Sequence, residues 1–421
     1  MSNMRIQLIL VFIYHYYLNT MNPLLSILLL ASLVATGHAK VVGPLCQWVN
    51  DPSKSLSIHW IETSQPSVES KGNFTLKFRR SENAPWQDTR VISREFSDTQ
   101  DHVYSVELSN LIPDRRYFFQ IIKSGIFIGS WHFKTAPLKI KQGVTFVTGG
   151  DMFHTRDLLD PMNMRAGTED PLFALLGGDL AYANGIDKQK WIEWVDSWSK
   201  YARSTSGDLI PMIVVIGNHE VRGASYRPTN APPPSEAPFF YSLFHGLNDR
   251  SNHVVKFEDY LTIVTFDSGH TQNVADQVDW LDKTLKEASS KAATFVCYHR
   301  PAYGTGVKEN AVDIQRLWSP LFEKYSVLAA FENDHHVYKR THPLTKCKKD
   351  DRKGVVYLGD GAWGTRTRQI APDWKLQRPY LAHAEATNHL IKVSVTSNQI
   401  SYKAIKADGT TIDSYKKERS N

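Results

Sequence analysis

FALLGGDLAY, residues 173–182, is the stretch on which the reading of this chain turns. Four apolar residues, Phe173 to Leu176, run into two glycines and then Asp179, with Tyr182 three residues beyond. A short apolar run closed by glycines reads as a buried strand rather than a helix. Four further clusters follow the same pattern. Asp151 ends VTFVTGGD, Asn218-His219-Glu220 ends IPMIVVIGNHE, His299 follows ATFVCY, and His335-His336 follow VLAAFEND. In layered α/β proteins, ligands bind just beyond the carboxyl ends of such strands. Carboxylate and amide oxygens mixed with imidazole suit Fe, Mn or Zn better than a thiolate-bound structural zinc. A lone Gly-Asp is also a common turn, so the ordered set carries the inference of a metal-dependent hydrolase.

The rest of the chain sets the frame. A length of 421 residues suggests two or three domains, and 42% hydrophobic residues is ordinary for a soluble globular protein. The net charge of +6 is modest. The Lys-rich pieces at 346–353 and 416–419 are interspersed with acids, which reads as solvated surface. No motif that reads RNA or DNA is present. Cys46, Cys297 and Cys347 allow at most one internal disulfide, and none has zinc-ligand spacing. Cys297 sits inside an apparent buried strand and reads as an inert core thiol.

Residues 1–39 read as a signal peptide. Two apolar blocks, Ile6 to Leu18 and Leu24 to Ala35, are each shorter than the ~20 residues a spanning helix needs. The second ends in Thr36-Gly37-His38-Ala39, small residues placed for cleavage after Ala39. Met21 to Ala39 is a short signal by itself, so either Met1 or Met21 serves as the start. The expectation is a secreted or periplasmic protein with no stable membrane span after cleavage; an uncleaved anchor is the alternative.

Residues 40–137 read as an all-β sandwich, with strands at Leu56 to Trp60, Asn73 to Arg79, His102 to Leu108, Arg116 to Lys123 and Gly129 to Lys134. The sequon Asn73-Phe74-Thr75 lies among them. Residues 138–421 alternate strands and helices. Trp191, Trp194, Val195, Trp198 and Tyr201 recur at helical spacing within 187–203, as do Val274, Val278, Leu281 and Leu285, and both stripes read as faces packed on a sheet. PTNAPPPSEAP, between Arg227 and Phe239, cannot be regular structure; a rim over the metals and a passive surface loop are both open readings. From Asn388 the chain reads as a hairpin closing the sheet.

The ordered motifs GD, GDLAY, GNHE and a lone His, across about 144–365, resemble the calcineurin-like metallophosphoesterases. Within them they resemble the purple acid phosphatases, whose second motif carries a Tyr. LIPDRRYFFQI (111–121) resembles the corner before a late strand of fibronectin type III domains, which larger purple acid phosphatases carry. The resemblance implies an α/β domain of two mixed β-sheets sandwiched by helices after a fibronectin III-like domain. It implies two metal ions, Fe at the tyrosine site and Zn, Mn or Fe at the second. Asp179 then bridges, Asp151 and Tyr182 bind the first metal, and Asn218 and His299 bind the second. His219 meets the phosphate and assists the leaving group as catalytic residue, and Glu220 orients its neighbours. His154 and Arg300 lie near these motifs in sequence, and for each a substrate contact and a plain surface side chain are both open readings.

The chain departs from the family twice. Where the fifth motif usually reads Gly-His-x-His-x-Tyr-Glu-Arg, Asn333-Asp334-His335-His336-Val337-Tyr338-Lys339-Arg340 stands in that register. His336 matches the second His and the first metal, while Asp334 replaces the first His. Alternation along an extended segment puts Asp334 and His336 on one face, which favours Asp334 as ligand over His335 or Glu332. After His299, Arg300-Pro301-Ala302-Tyr303-Gly304-Thr305-Gly306 lacks the extra histidines of the plant enzymes, and Arg300 could supply their charge. The expected function is hydrolysis of small phosphate monoesters by a metal-bound hydroxide, of acid phosphatase type. Phosphodiester or nucleotide pyrophosphate hydrolysis is the alternative, and a catalytically inactive binding protein the third reading. Natural substrate and oligomeric state stay open.

Overall fold

The computed structural model describes residues 40–64, 72–140, 143–224, 226–247, 250–288 and 292–419. The expected leader, residues 1–39, lies outside the described residues. The chain divides into two units, Met1–Lys40 with Thr63–Lys71, and Val41–Glu62 with Gly72–Asn421. The described part of the first is Lys40, Thr63 and Ser64, where the Thr63 amide donates to the Lys40 carbonyl at 2.9 Å. All that follows concerns the second unit.

Two large sheets pack face to face. One has ten strands among the described residues, in the order Thr411–Glu418, Gln399–Ile405, Leu390–Val395, Val144–Gly149, Phe173–Leu176, Met212–Val214, Val41–Gln47, Leu56–Glu62, His102–Leu108, Ile92–Glu95. The other has seven: His253–Phe257, Leu261–Thr265, Ala293–Cys297, Ala329–Glu332, Val356–Gly359, Tyr338–Thr341, Leu381–Glu385. Side chains alternate between two hydrophobic layers, as the period of a strand requires. Phe146, Phe173, Leu175 and Ile213 of the first sheet meet Ile263, Phe295 and Phe331 of the second. Phe146 lies at the centre of that layer, its ring 4.9 Å from Phe173 and 5.6 Å from Phe295. Truncating such a ring typically costs about 3–5 kcal/mol.

The intervening residues face outward onto helices. Val147, Ala174, Leu176 and Val214 pack under the helices Arg156–Thr168 and Lys188–Tyr201. Trp191, Trp194 and Trp198 are buried there, as their spacing predicts. Asp187 caps the second helix, its carboxylate accepting from the Gln189 and Lys190 amides. On the far face, Val264, Val296, Ala330 and Tyr357 pack against Leu281, Leu285, Ile314 and Phe322 of three helices. The result is a mixed α/β fold with helices outside two sheets.

The N-terminal region is all β. Its strands Phe74–Arg79, Gln87–Thr89, Arg116–Lys123 and Ile126–Lys134 form a separate four-stranded sheet. Its remaining four belong to the ten-stranded sheet, joined where Gln47 pairs in parallel with Met212. Five strands read from the sequence are present. Val41–Gln47, Gln87–Thr89 and Ile92–Glu95 were not legible, the first because Gly43-Pro44 interrupts it at a register shift, the others because they are short, polar edges. Arg116 and His132 of this region hold Asp208 of the next: Arg116 Nε and Nη2 both donate at 2.7 Å, and His132 Nδ1 lies at 2.6 Å.

The proline-rich loop is irregular as read except for a single turn at Pro234–Glu236 and its last residue, Pro238, which opens the helix Pro238–Leu243, where a proline's missing N–H costs nothing. It docks on 269–274 through Arg227 N to Gly269 O at 3.0 Å and Ala231 N to Asn273 Oδ1 at 2.9 Å. The C-terminal hairpin, Leu390–Val395 with Gln399–Ile405, gains one more strand, Thr411–Glu418. All three cysteines are free thiols, with Cys46 and Cys297 buried.

Candidate metal centre

Parallel pairing brings the strand ends into line. Gly149 sits opposite Leu176, and Leu176 opposite Val214; in the second sheet Cys297 pairs with Phe331, and Glu332 with Gly359. Each strand therefore delivers its next residues to one edge: Asp151, Asp179, the turn Asn218–Glu220, His299, and Asp334 to His336. The turns are tight. Asp151, Asp179, Tyr182, Asp334 and His336 all have left-handed backbones, with φ of 54°, 53°, 55°, 78° and 59°. Such residues cost on the order of 1–3 kcal/mol each and collect at functional sites. Glycines make room: a Cβ on Gly217 would lie 2.3 Å from Asp179 Oδ1, and one on Gly361 1.7 Å from Asp151 Oδ2.

Two groups of donors result. In the first, Tyr182 Oη donates to Asp151 Oδ1 at 2.9 Å and lies 2.7 Å from His336 Nε2, which is 3.0 Å from the same carboxylate oxygen. His336 Nδ1 faces the Arg366 carbonyl at 3.2 Å, so it carries the hydrogen and Nε2 presents its lone pair inward. In the second, His299 Nδ1 donates to the Gly177 carbonyl at 2.9 Å, which turns Nε2 inward, 3.3 Å from Asp179 Oδ2 and 3.9 Å from Asp334 Oδ1. Asp179 Oδ2 and His299 Nε2 are fully buried and, among the described residues, without a hydrogen-bond partner. Donor atoms of Asp151, Asp179 and His299 lie within 4.8 Å of one another. Buried, orphaned oxygen and imidazole donors this close fit a cation.

The electrostatics agree. Burial pushes the Tyr182 phenol well above its ordinary range, and the Asp151 and Asp179 charges push it further. Burial would raise Asp179, but His299 and His219 outweigh it and hold the carboxyl low. Burial would lower His299, but Asp179 and Asp151 lift it to about 10. Asp334 behaves like Asp179, with His299 and Lys308 overcoming burial. Three buried carboxylates thus draw positive charge to this edge.

Glu220 orients the loops, as read: Oε2 accepts from the Gly217 and Asp179 amides at 2.7 Å each, and Oε1 from Leu180 at 2.8 Å. Burial and the Asp179 charge push it up to about 8 against those donors. Asn218 opens the same turn, half-buried. The His219 amide donates to Asp179 Oδ1 at 2.7 Å, its ring stacks on Tyr182 at 4.1 Å, and Nδ1 meets Asn184 Oδ1. His154 packs edge-on to Tyr182, ring centres 4.6 Å apart, and burial lowers it to about 4. Arg300 turns aside, lying 3.2 Å over the Tyr226 ring and 3.6 Å from Asp313.

In the fifth cluster, Asp334 and His336 face the donors while His335 lies beneath, Nδ1 3.2 Å from the buried Asp360 and its ring against Gly304. The segment is not extended, contrary to the premise of alternation; left-handed residues on either side of His335, Asp334 and His336, produce the same split. Glu332 is committed elsewhere, to Tyr298, Ala302 and Lys339. Three neighbours escaped the sequence. Lys308 Nζ contacts Asp334 Oδ1, Asn184 supports His219, and His270 lies buried with its ring 5.4 Å from that of His299. Asn184 stands in an Asn-Gly turn, and Lys308 is 26 residues from the Asp334 it meets.

Residues 126–336 match the profile of the calcineurin-like phosphoesterase family. An uncharacterized protein of Mycobacterium tuberculosis, in strain CDC 1551 / Oshkosh and in strain ATCC 25618 / H37Rv, is 26% identical over 322 residues, covering 68% of this chain and 56% of the relative. The chain thus matches just over half the length of those relatives. Among solved structures, purple acid phosphatase PPD1 from yellow lupin (Lupinus luteus) seeds superposes with a TM-score of 0.70 at 15% identity, covering 90% of this chain and 74% of that one. PhoD superposes at 0.66 and 10% identity, covering 91% and 90%. Both likenesses concern the fold. With the profile matched over half its length and the donors gathered at its strand ends, the chain belongs to the calcineurin-like phosphoesterase family.

Proposed function

We propose that this edge is a two-cation centre of the purple acid phosphatase kind that hydrolyses phosphate monoesters. The observation that carries the reading is the junction of Tyr182 Oη with Asp151 and His336 at 2.9 and 2.7 Å, beside the orphaned Asp179 and His299. Asp151, Tyr182 and His336 would hold the first ion, Asn218, His299 and Asp334 the second, with Asp179 between. A phenolate oxygen favours Fe(III) at the first position, with Zn, Mn or Fe at the second. Two bound ions supply an acidified water and a clamp on the phosphoryl oxygens.

The chain's own groups do the rest. Asn184 offers an amide oxygen, so His219 Nδ1 carries a hydrogen and Nε2 is left for the substrate. Stacking on Tyr182 and the amide bond to Asp179 fix that ring beside the centre. A protonated Nε2 can pass its proton to the leaving oxygen, a step worth ~10²–10⁴ in rate. His154 lines the tyrosine side.

The N-terminal sandwich we assign as fibronectin type III-like. In support, the Ile112 amide donates to Tyr117 Oη at 2.8 Å, the tyrosine corner of such domains. Cleavage after Ala39 and export complete the reading. No helix of the described residues is long and apolar enough to cross a membrane. Purified protein assayed on a panel of mono- and diesters, beside metal analysis, tests the function. Monoester turnover lost on chelation and restored by iron with zinc is expected; a fully metal-loaded protein inert on every ester would refute it.

A further inference from the structure

Lys308 reaches the second group of donors from a loop. Its ammonium contacts Asp334 Oδ1, the same oxygen that faces His299 Nε2 at 3.9 Å. Asp334 has little freedom to turn away. Its amide donates to Asp151 Oδ2 at 2.8 Å, its carbonyl accepts from Arg368 Nη1 at 3.3 Å, and its side chain is 11% exposed. Lys308 is different. It rides on the loop between His299 and the helix Val312–Leu317, with a side chain 40% exposed, so it can leave Asp334 for solvent. The loop itself is pinned by Gly304 N to Asn310 Oδ1 at 2.9 Å, Tyr380 Oη to Gly304 O at 2.7 Å and Ala311 N to Pro301 O at 2.8 Å. The ammonium is thus kept close to the carboxylate even when detached.

A neutral imidazole, which the family carries at this position, attracts no lysine. A carboxylate does, and a carboxylate paired with an ammonium is a poorer ligand because a second cation meets like charge at contact range. Among the described residues the tyrosine-side donors have no such rival: His336, Asp151 and Tyr182 contact one another.

We propose that Lys308 is a tethered cation that competes with the second metal ion for Asp334, so that the centre fills in two steps, the tyrosine side first. The inference rests on the two-cation reading above and adds that the second step is set by a lysine.

Calorimetric titration of zinc into metal-free protein tests it without any turnover assay. Wild type should bind two zinc ions, the second more weakly. Lys308→Met should tighten the second step by on the order of tenfold or more and leave the first unchanged. Lys308→Arg, which keeps the charge, should stay like wild type. An unchanged or weaker second step in Lys308→Met, or equal tightening in Lys308→Arg, would overturn the competition. A single zinc in all three proteins would instead sink the two-cation reading, and this proposal with it.

Discussion

The two halves of the centre are built from similar residues and differ in how those residues are held. On the tyrosine side Tyr182 donates to Asp151, His336 Nε2 lies 2.7 Å from the same hydroxyl and 3.0 Å from the carboxylate, and His336 is steered by a backbone carbonyl. On the other side Asp179 Oδ2 and His299 Nε2 have, among the described residues, no hydrogen-bond partner, and Asp334 is shared with Lys308. The first half is organised before an ion arrives. The second holds Asp179 and His299 as a buried pair 3.3 Å apart without a hydrogen bond between them, which an ion would draw together. Stability and ligand affinity are therefore set separately within a few ångströms.

Removing Asp179, which the proposed reading sets between the two halves, should have the largest effect. Asp179→Asn should lose metal and activity by more than the ~10–100-fold typical of outer-shell changes, with circular dichroism unchanged. Near-normal turnover at full metal content would show that Asp179 does not join the two sides.

His219 lies beside the centre without belonging to either half. His219→Ala should reduce kcat by ~10²–10⁴ while metal content holds. That pattern marks an interaction made in the transition state. Metal lost in step with activity would move His219 into the ligand set.

A change remote from both halves should leave the centre alone. Asp208 is anchored by Arg116 and His132, which overcome the upward push of burial and hold its carboxyl below the ordinary value. A lowered folded-state value stabilises above the unfolded value near 4 and is lost as pH falls through the folded one. Asp208→Asn should therefore cost about 1.5–3 kcal/mol at neutral pH, with a Tm deficit that shrinks below about pH 4 and kinetics at room temperature unchanged. A deficit independent of pH would mean that packing, and not the charge, joins the two regions.

The two sheets that carry the centre were legible because their parallel strands are buried on both faces and read as unbroken apolar runs, such as Phe173–Leu176 and Ala293–Cys297. Edge strands such as Gln87–Thr89 carry no such signal, since half-solvated polar residues form strands and loops alike. Donors at strand ends were legible by type and order. Arg300 was not placed by its neighbour His299, because its direction depends on Tyr226 and Asp313, distant in sequence. Lys308 was hidden for the same reason: its meaning lies in Asp334, 26 residues away. The division of Asp334 from His335 was reached through an extended geometry that the chain does not adopt.

The central claim, that Tyr182 belongs to a cation's ligand set and not to the hydrophobic core, is tested most directly by colour. Iron-loaded wild type should show a visible tyrosinate-to-Fe(III) charge-transfer band, purple to pink, and Tyr182→Phe should lose it while keeping iron on the remaining donors. A colourless wild type with full iron, or a Tyr182→Phe variant that keeps the band, would contradict it.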